Sequence, residues 1–154
     1  MTEYIEAKTP QLFEESKKLF MEYAASLGCS PCLQNIEKEL GDLPREYGPP
    51  DGRLLLAVHD GAYAGCVAFR KIGEGMCEMR RMFLRPGFRG KKIGKGLAMA
   101  LLQEARKEGY VRMRLYTLPS MREAVSLYDS LGFTDIPPYG EHIIPDALYR
   151  ELYL

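Results

Sequence analysis

The segment Met82-Phe-Leu-Arg-Pro-Gly-Phe-Arg-Gly-Lys-Lys-Ile-Gly-Lys-Gly-Leu97 constrains this chain more than any other. It reads as the end of a strand, a tight basic loop and the first turn of a helix. Cys77 to Leu84 is a run of apolar or long side chains, and Pro86 and Gly87 stop it, since proline removes a ladder donor and glycine favours a turn. From Ile93 onward Leu97, Ala98, Leu101, Leu102 and Ala105 recur at helical spacing, and Gly109 stands where a helix end favours a left-handed residue. Arg85, Arg89, Lys91, Lys92 and Lys95 fall in the loop with no acid among them. A helix start offers unpaired N–H groups and the positive end of its dipole, which together bind anions. Gly90 and Gly94 are expected to let the backbone approach such a ligand closely. The loop therefore reads as a phosphate cradle, against the alternative of a surface turn with a solvated basic cluster.

Two nucleotide motifs fail on counting. A Walker A loop needs a glycine five places before its Gly-Lys pair and a Ser or Thr after it. Gly94-Lys95 has Arg89 and Gly96 at those places. Gly90, Gly94 and Gly96 do not fit the Gly-x-Gly-x-x-Gly dinucleotide fingerprint either.

At 154 residues the chain suits a single domain, residues 1–154, long enough to bury a core without disulfides or metal. Lys+Arg and Asp+Glu balance at 21 each, and a nucleic-acid binder needs a basic excess, so no nucleic-acid partner is expected. No apolar run approaches the ~20 residues of a membrane span, and Met-Thr-Glu-Tyr-Ile-Glu has no signal core, so a cytoplasmic protein is expected. Cysteines 29, 32, 66 and 77 fit reduced thiols, and Cys29-Ser-Pro-Cys32 lacks a second pair to make a zinc site, so no metal is expected.

Along the chain, Glu3 to Lys8 reads as a strand and Thr9-Pro10 as a helix start, with Leu12, Ser16, Leu19, Phe20, Tyr23 and Leu27 on one face. A second helix is expected from about Leu33 to Gly41, with Ile36, Glu37 and Leu40 on one side. Arg53 to His59, Ala62 to Arg70 and Cys77 to Leu84 form an antiparallel meander, with Asp60-Gly61 as a hairpin turn. Arg112 to Thr117 is a strand. Ser120-Met-Arg-Glu123 is a capping box opening a helix with Ala124, Leu127, Tyr128 and Leu131 as its apolar stripe. Strands at Phe133 to Ile136 and Ala147 to Leu154 follow an irregular Pro137-Pro138-Tyr139-Gly140 loop.

Arg89-Gly90-Lys91-Lys92-Ile93-Gly94 resembles motif A of the GNAT superfamily of N-acetyltransferases, Arg/Gln-x-x-Gly-x-Gly/Ala, with Lys92 in place of its first glycine. Ala124-Val-Ser-Leu-Tyr128-Asp-Ser-Leu-Gly-Phe133 resembles motif B, Ala-x-x-Leu-Tyr-x-x-x-Gly-Phe. The resemblance implies an α+β acyl-CoA N-acyltransferase fold, with a mixed, mostly antiparallel sheet of about six to seven strands and about four helices. It also implies acetyl-CoA as co-substrate, its pyrophosphate at Arg89, Gly90, Lys91, Lys92, Ile93, Gly94 and Lys95. The pantetheine arm would pair with the backbone of Met82, Phe83 and Leu84. Transfer to a small-molecule or peptide amine needs a proton acceptor, and a donor for the departing thiolate. By position Tyr128 is the general acid, and a phenol with pKa near ~10 stays protonated at neutral pH.

Some members of the superfamily use a glutamate four residues before the first pantetheine-pairing residue, which is Glu78 here, as general base; a water chain is the alternative. Strand alternation is expected to put Glu78, Arg80 and Met82 on one face. The family's cofactor-contacting Asn is Met121 in this chain. The first two helices of the fold wall the acceptor pocket, which makes Glu22, Tyr23 and Leu43 to Pro50 contact candidates. The loop around Pro137 to Asp146 would also shape that pocket, with Tyr139, Glu141 and His142 read as plain loop against the alternative that they reach it. A non-catalytic acyl-CoA sensor of the same fold is the alternative function. The family often dimerises, and the sequence leaves that open.

Overall fold

The computed structural model of the chain describes residues 1–27, 33 and 35–154, so Cys29-Ser-Pro-Cys32 lies outside the described residues. Strands β1 (Thr2–Glu6), β2 (Arg53–His59), β3 (Ala62–Gly73), β4 (Met76–Leu84), β5 (Arg112–Thr117), β6 (Thr134–Asp135) and β7 (Leu148–Tyr153) form one sheet in the order β1-β2-β3-β4-β5-β7-β6. Among the described residues β4 and β5 run parallel and the other neighbours antiparallel. Asp60 and Gly61 both have positive φ, 49° and 83°, in the turn that sets the β2–β3 register.

Helices α1 (Pro10–Ser26), α2 (Ile36–Gly41), α3 (Leu43–Tyr47), α4 (Ile93–Lys107) and α5 (Arg122–Leu131) accompany the sheet. Thr9 caps α1 by accepting from the Leu12 amide at 3.2 Å, as its hydroxyl predicts. Among the described residues there are five α-helices where about four were expected, because Asp42 divides the second. It adopts φ −159°, ψ 73°, and its carboxylate accepts from the Arg45 amide at 3.3 Å to start α3. The buried residue of α2 is Glu39, not Glu37, which is exposed.

Each sheet face carries its own core, as strand alternation requires. Leu55, Val67, Phe69, Met79 and Met113 pack under α4, with Leu97 and Leu101, and this core continues to Tyr128 and Phe133. Leu54, Leu56, Cys66 and Phe83 pack on the other face with Leu19, Phe20 and Tyr47 from α1 and α3.

Strand β4 departs from ideality at one point that shapes everything after it. Its pairing with β3 slips between Cys66↔Phe83 and Ala68↔Arg80, and Arg81 sits in the left-handed region at φ 59°. This is a β-bulge, which inserts a residue and reverses the facing beyond it. The alternation expected for Glu78, Arg80 and Met82 therefore fails. Arg80 and Arg81 both reach Glu39 on one side, whereas Met82 packs against the core on the other. Pairing of β4 with β5 runs from Met76↔Arg112 to Glu78↔Arg114 and stops there, so the two strands part.

The expected capping box at Ser120 does not form. The α5 N-cap is Met121, with no side-chain cap, because the Met121 amide bonds the Leu118 carbonyl at 2.9 Å and leaves Ser120 in that preceding turn. The other end behaves as read, Gly132 closing α5 at φ 94°.

Candidate active site

The basic loop delivers its helix start as the glycine pattern predicts, although a lysine occupies the strained position. Lys92 is the N-cap of α4 at φ 63°, ψ 15°. The Gly96 amide is the first to bond back, to the Lys92 carbonyl at 3.2 Å. The amides of Ile93, Gly94 and Lys95 thus have no partner within the helix. Arg89, Gly90, Lys91, Lys92 and Lys95 are exposed around them. Ile93 is 1% exposed and offers the loop its amide alone. Gly94 faces inward: a Cβ there would lie 3.3 Å from Leu84 Cδ1, so its smallness seats the helix on β4 rather than admitting a ligand.

Two of the loop's arginines are committed elsewhere. Arg89 folds back, donating from Nε and Nη2 to the Leu84 carbonyl at 3.1 and 3.0 Å. Arg85 makes a two-pronged pair with Glu22 at 2.9 and 2.7 Å and donates to the Tyr63 carbonyl. The acid missing from the local sequence comes from α1, and Glu22 is thereby a fastening rather than a pocket group.

Where β5 diverges, β4 presents an open backbone edge. Arg85 donates its amide to Ala64 of β3 at 2.9 Å. Alternation then turns the Phe83 backbone toward β3 and the Met82 and Leu84 backbones toward the gap. Met82 and Leu84 thus face the edge expected to pair with a pantetheine arm, and Phe83 does not. Phe83 instead buries its ring against Tyr23, centroids 6.1 Å apart.

Two neighbouring cavities occupy the divergence. A narrow one of about 50 Å³ is lined by Tyr23, Arg80, Met82, Tyr116, Met121 and Tyr128 among others. Tyr128 is 6% exposed and packs edge-on against Phe133. Among the described residues its hydroxyl has no hydrogen-bond partner. Burial, and secondly the neighbouring Tyr23, push its phenol above the ordinary value.

The wider cavity, about 260 Å³, shares Arg80 and Tyr116 with the first and adds Arg70, Glu78, Tyr139 and Tyr149. Glu78 is buried, its Oε2 accepting from the Tyr139 hydroxyl at 2.7 Å. Among the described residues its Oε1 has no hydrogen bond, and it lies 3.6 Å from Arg80 Nε and 3.7 Å from Arg70 Nη2. Burial first, then the Glu78 charge, push the Tyr139 phenol upward. Tyr139, Glu141 and His142 line this cavity, the alternative to their reading as plain loop. Leu43 to Pro50 does not line either cavity, since Leu43 and Tyr47 are core residues. Arg70 and Tyr116 went unnoticed in the sequence; Arg70 is the direct cross-strand partner of Glu78, but a register shift between Lys71 and Gly73 hides that pairing from a count back from the β3–β4 turn. Among the described residues no group of three or more His, Cys, Asp or Glu side chains is placed to hold a metal ion.

Residues 16–133 match the Acetyltransferase (GNAT) family. An uncharacterized N-acetyltransferase of Schizosaccharomyces pombe is 40% identical, over 94% of this chain and 90% of its own length. Among solved structures, a GNAT-family acetyltransferase of Staphylococcus aureus superposes with TM-score 0.82 at 17% identity, covering 99% of both chains. The PaiA N-acetyltransferase of Thermoplasma acidophilum, solved in complex with coenzyme A, superposes with TM-score 0.73 at 21% identity over 100% of this chain and 99% of its own. The chain belongs to the GNAT family and is an acetyl-CoA-dependent acetyltransferase.

Proposed function

We propose that the protein acetylates a primary amine by direct attack, with Tyr128 as general acid and Glu78 as general base. Acetyl-CoA, when bound, supplies the activated acetyl thioester. The observation that carries the reading is Tyr128: a side chain 6% exposed, whose hydroxyl has no hydrogen-bond partner among the described residues, on the same cavity as Met82, whose backbone faces the open edge of β4.

The residues divide the work by position. The Ile93, Gly94 and Lys95 amides would hold pyrophosphate, with Lys91 and Lys92 adding charge around them. Met82 and Leu84 would align the pantetheine arm through their backbones. Tyr128 keeps its proton at the phenol oxygen until a thiolate leaves beside it, since desolvation disfavours its anion. Glu78 Oε1, without a hydrogen bond, is free to take a proton from an amine in the wider cavity. That cavity shares Arg80 and Tyr116 with the first, which supports an amine held there reaching the acetyl site.

The test pairs binding with turnover. Acetyl-CoA at 100 times its Kd should stabilise the fold by about 2.7 kcal/mol, read as a rise in Tm. Free-thiol release over an amine panel should then identify acceptors. Binding without thiol release from any amine would instead make the protein an acyl-CoA sensor.

A further inference from the structure

Resting on that transferase reading, we infer that the acceptor amine also carries a carboxylate, bound by the guanidinium groups of Arg70 and Arg80 in the 260 Å³ cavity, as in a free amino acid.

Arg80 is 8% exposed, yet among the described residues it makes no hydrogen bond; its two carboxylate contacts, to Glu39 and Glu78, both lie at 3.6 Å. Arg70 has a single contact among those residues, to Glu78 at 3.7 Å. Both guanidiniums line the same cavity. A guanidinium presents its N–H groups as a planar fork that matches a carboxylate, and a buried one left without acceptors is costly.

Charge counting points the same way. Glu39 is taken by Arg81 at 2.9 and 2.6 Å. Among the described residues, Arg70, Arg80 and Arg81 then face Glu39 and Glu78, three positive charges against two negative. Glu141 and His142 also line the cavity, but both are exposed at its mouth, where water screens them.

Glu78 supplies the second, independent sign. Its Oε1 is buried without a hydrogen bond among the described residues, on a side chain that lines the same cavity as the two arginines. A zwitterion satisfies every group at once. Its carboxylate bridges Arg70 and Arg80, and its ammonium takes Glu78 Oε1, the atom placed to accept the proton before attack. A simple monoamine leaves the arginine donors unmet, and a dianion meets Glu78 with like charge. The volume falls below the ordinary range for drug-sized ligands, which favours a small free acid over a peptide N-terminus.

The experiment compares matched pairs: free L-amino acids against their α-carboxamides, under saturating acetyl-CoA, with thiol release as readout. The free acid should be preferred by about 10- to 100-fold in kcat/KM, the range set by one charged hydrogen-bonded contact. This should hold although the amide's amine is the less basic and more readily deprotonated. Arg70→Gln should collapse the preference toward unity, mainly through KM, and Arg70→Lys should restore part of it. Arg70 is half-buried at the cavity wall, so the variant is expected to fold, and its Tm verifies that.

Equal turnover of acid and amide, insensitive to Arg70→Gln, overturns the carboxylate site and leaves acetyl transfer standing. If no amine turns over although acetyl-CoA binds, the transferase reading fails. Calorimetric titration of the CoA-loaded protein then decides the carboxylate site: binding of the free acid but not the amide upholds it, and equal or absent binding overturns it.

Discussion

Arg81 holds Glu39 with two buried hydrogen bonds, Nε to Oε1 at 2.9 Å and Nη2 to Oε2 at 2.6 Å. The pair joins the bulge of β4 to α2. Tyr47 donates to the same carboxylate at 2.6 Å and ties in α3. Burial alone would raise the Glu39 carboxyl, but the bonds and charge of Arg81 outweigh it and hold it below the ordinary value.

Glu39→Ala should therefore cost about 3–5 kcal/mol in denaturant melts, since it strands a buried guanidinium. The pH dependence has a fixed sign. A folded-state pKa below the unfolded one gives stability that is present above the unfolded carboxylate range and lost as pH falls through the lowered value. Glu39→Ala should lack that part of the acid sensitivity, which paired melts at pH 7 and pH 4 will show.

Tyr128→Phe should lower kcat by about 100-fold or more, the lower range for losing a general acid. Acetyl-CoA affinity should stay within about twofold, because the phosphate and pantetheine contacts assigned above involve other residues. Stability should also hold, since no described residue bonds the hydroxyl that is removed. Stopped-flow thiol release with separate titration of CoA distinguishes these outcomes. An unchanged kcat would remove Tyr128 from the mechanism.

The rate–pH profile gives an independent check. Burial raises the Tyr128 phenol above its ordinary value of 10.0, so the acid form persists through the whole neutral and mildly alkaline range. The plateau of kcat should therefore show no descending limb due to Tyr128 below pH 10. Loss of activity with an apparent pKa of 8 to 9 would mean that another group supplies the proton.

Local spacing made the loop and the meander legible, whereas the acceptor side depends on distant residues meeting. Pro86, Gly90 and the periodicity from Ile93 place a strand end and a helix start within one short segment, and the structure keeps both. The bulge at Arg81 was not legible, because nothing in Met79-Arg80-Arg81-Met82 marks a left-handed arginine. It was fixed by Glu39, 42 positions away, which holds the guanidinium from another element. That slip moved Met82 to the opposite face from Glu78 and Arg80. Glu22 and Arg85 carry the same lesson: a cluster with no acid in its sequence acquires one in space.

Gly96 shows a constraint the motif leaves unread. A Cβ there would lie 1.9 Å from the Tyr4 hydroxyl oxygen and 2.4 Å from its Cζ. Gly96→Ala should destabilise by about 1–3 kcal/mol through overpacking, despite alanine's better helix propensity. Tyr4→Ala in the same background should remove most of that penalty, leaving a coupling energy between the two positions. Purely additive melts would mean that the ring simply swings aside.

Lys92 tests whether the loop binds phosphate through charge or through backbone. At φ 63° a non-glycine residue is strained, and a β-branched one most of all. Lys92→Gly should fold as stably as the parent or better, and Lys92→Val should lose about 1–3 kcal/mol. The α4 start survives in the glycine variant, so the Ile93, Gly94 and Lys95 amides remain aimed as before. CoA affinity should then fall by no more than the few-fold expected of one exposed charge. That residual loss should shrink at high salt, where the lysine is screened but the amides are not. A loss of 100-fold or more would transfer the main role from the amides to the Lys92 ammonium, and titrations at two ionic strengths separate the cases.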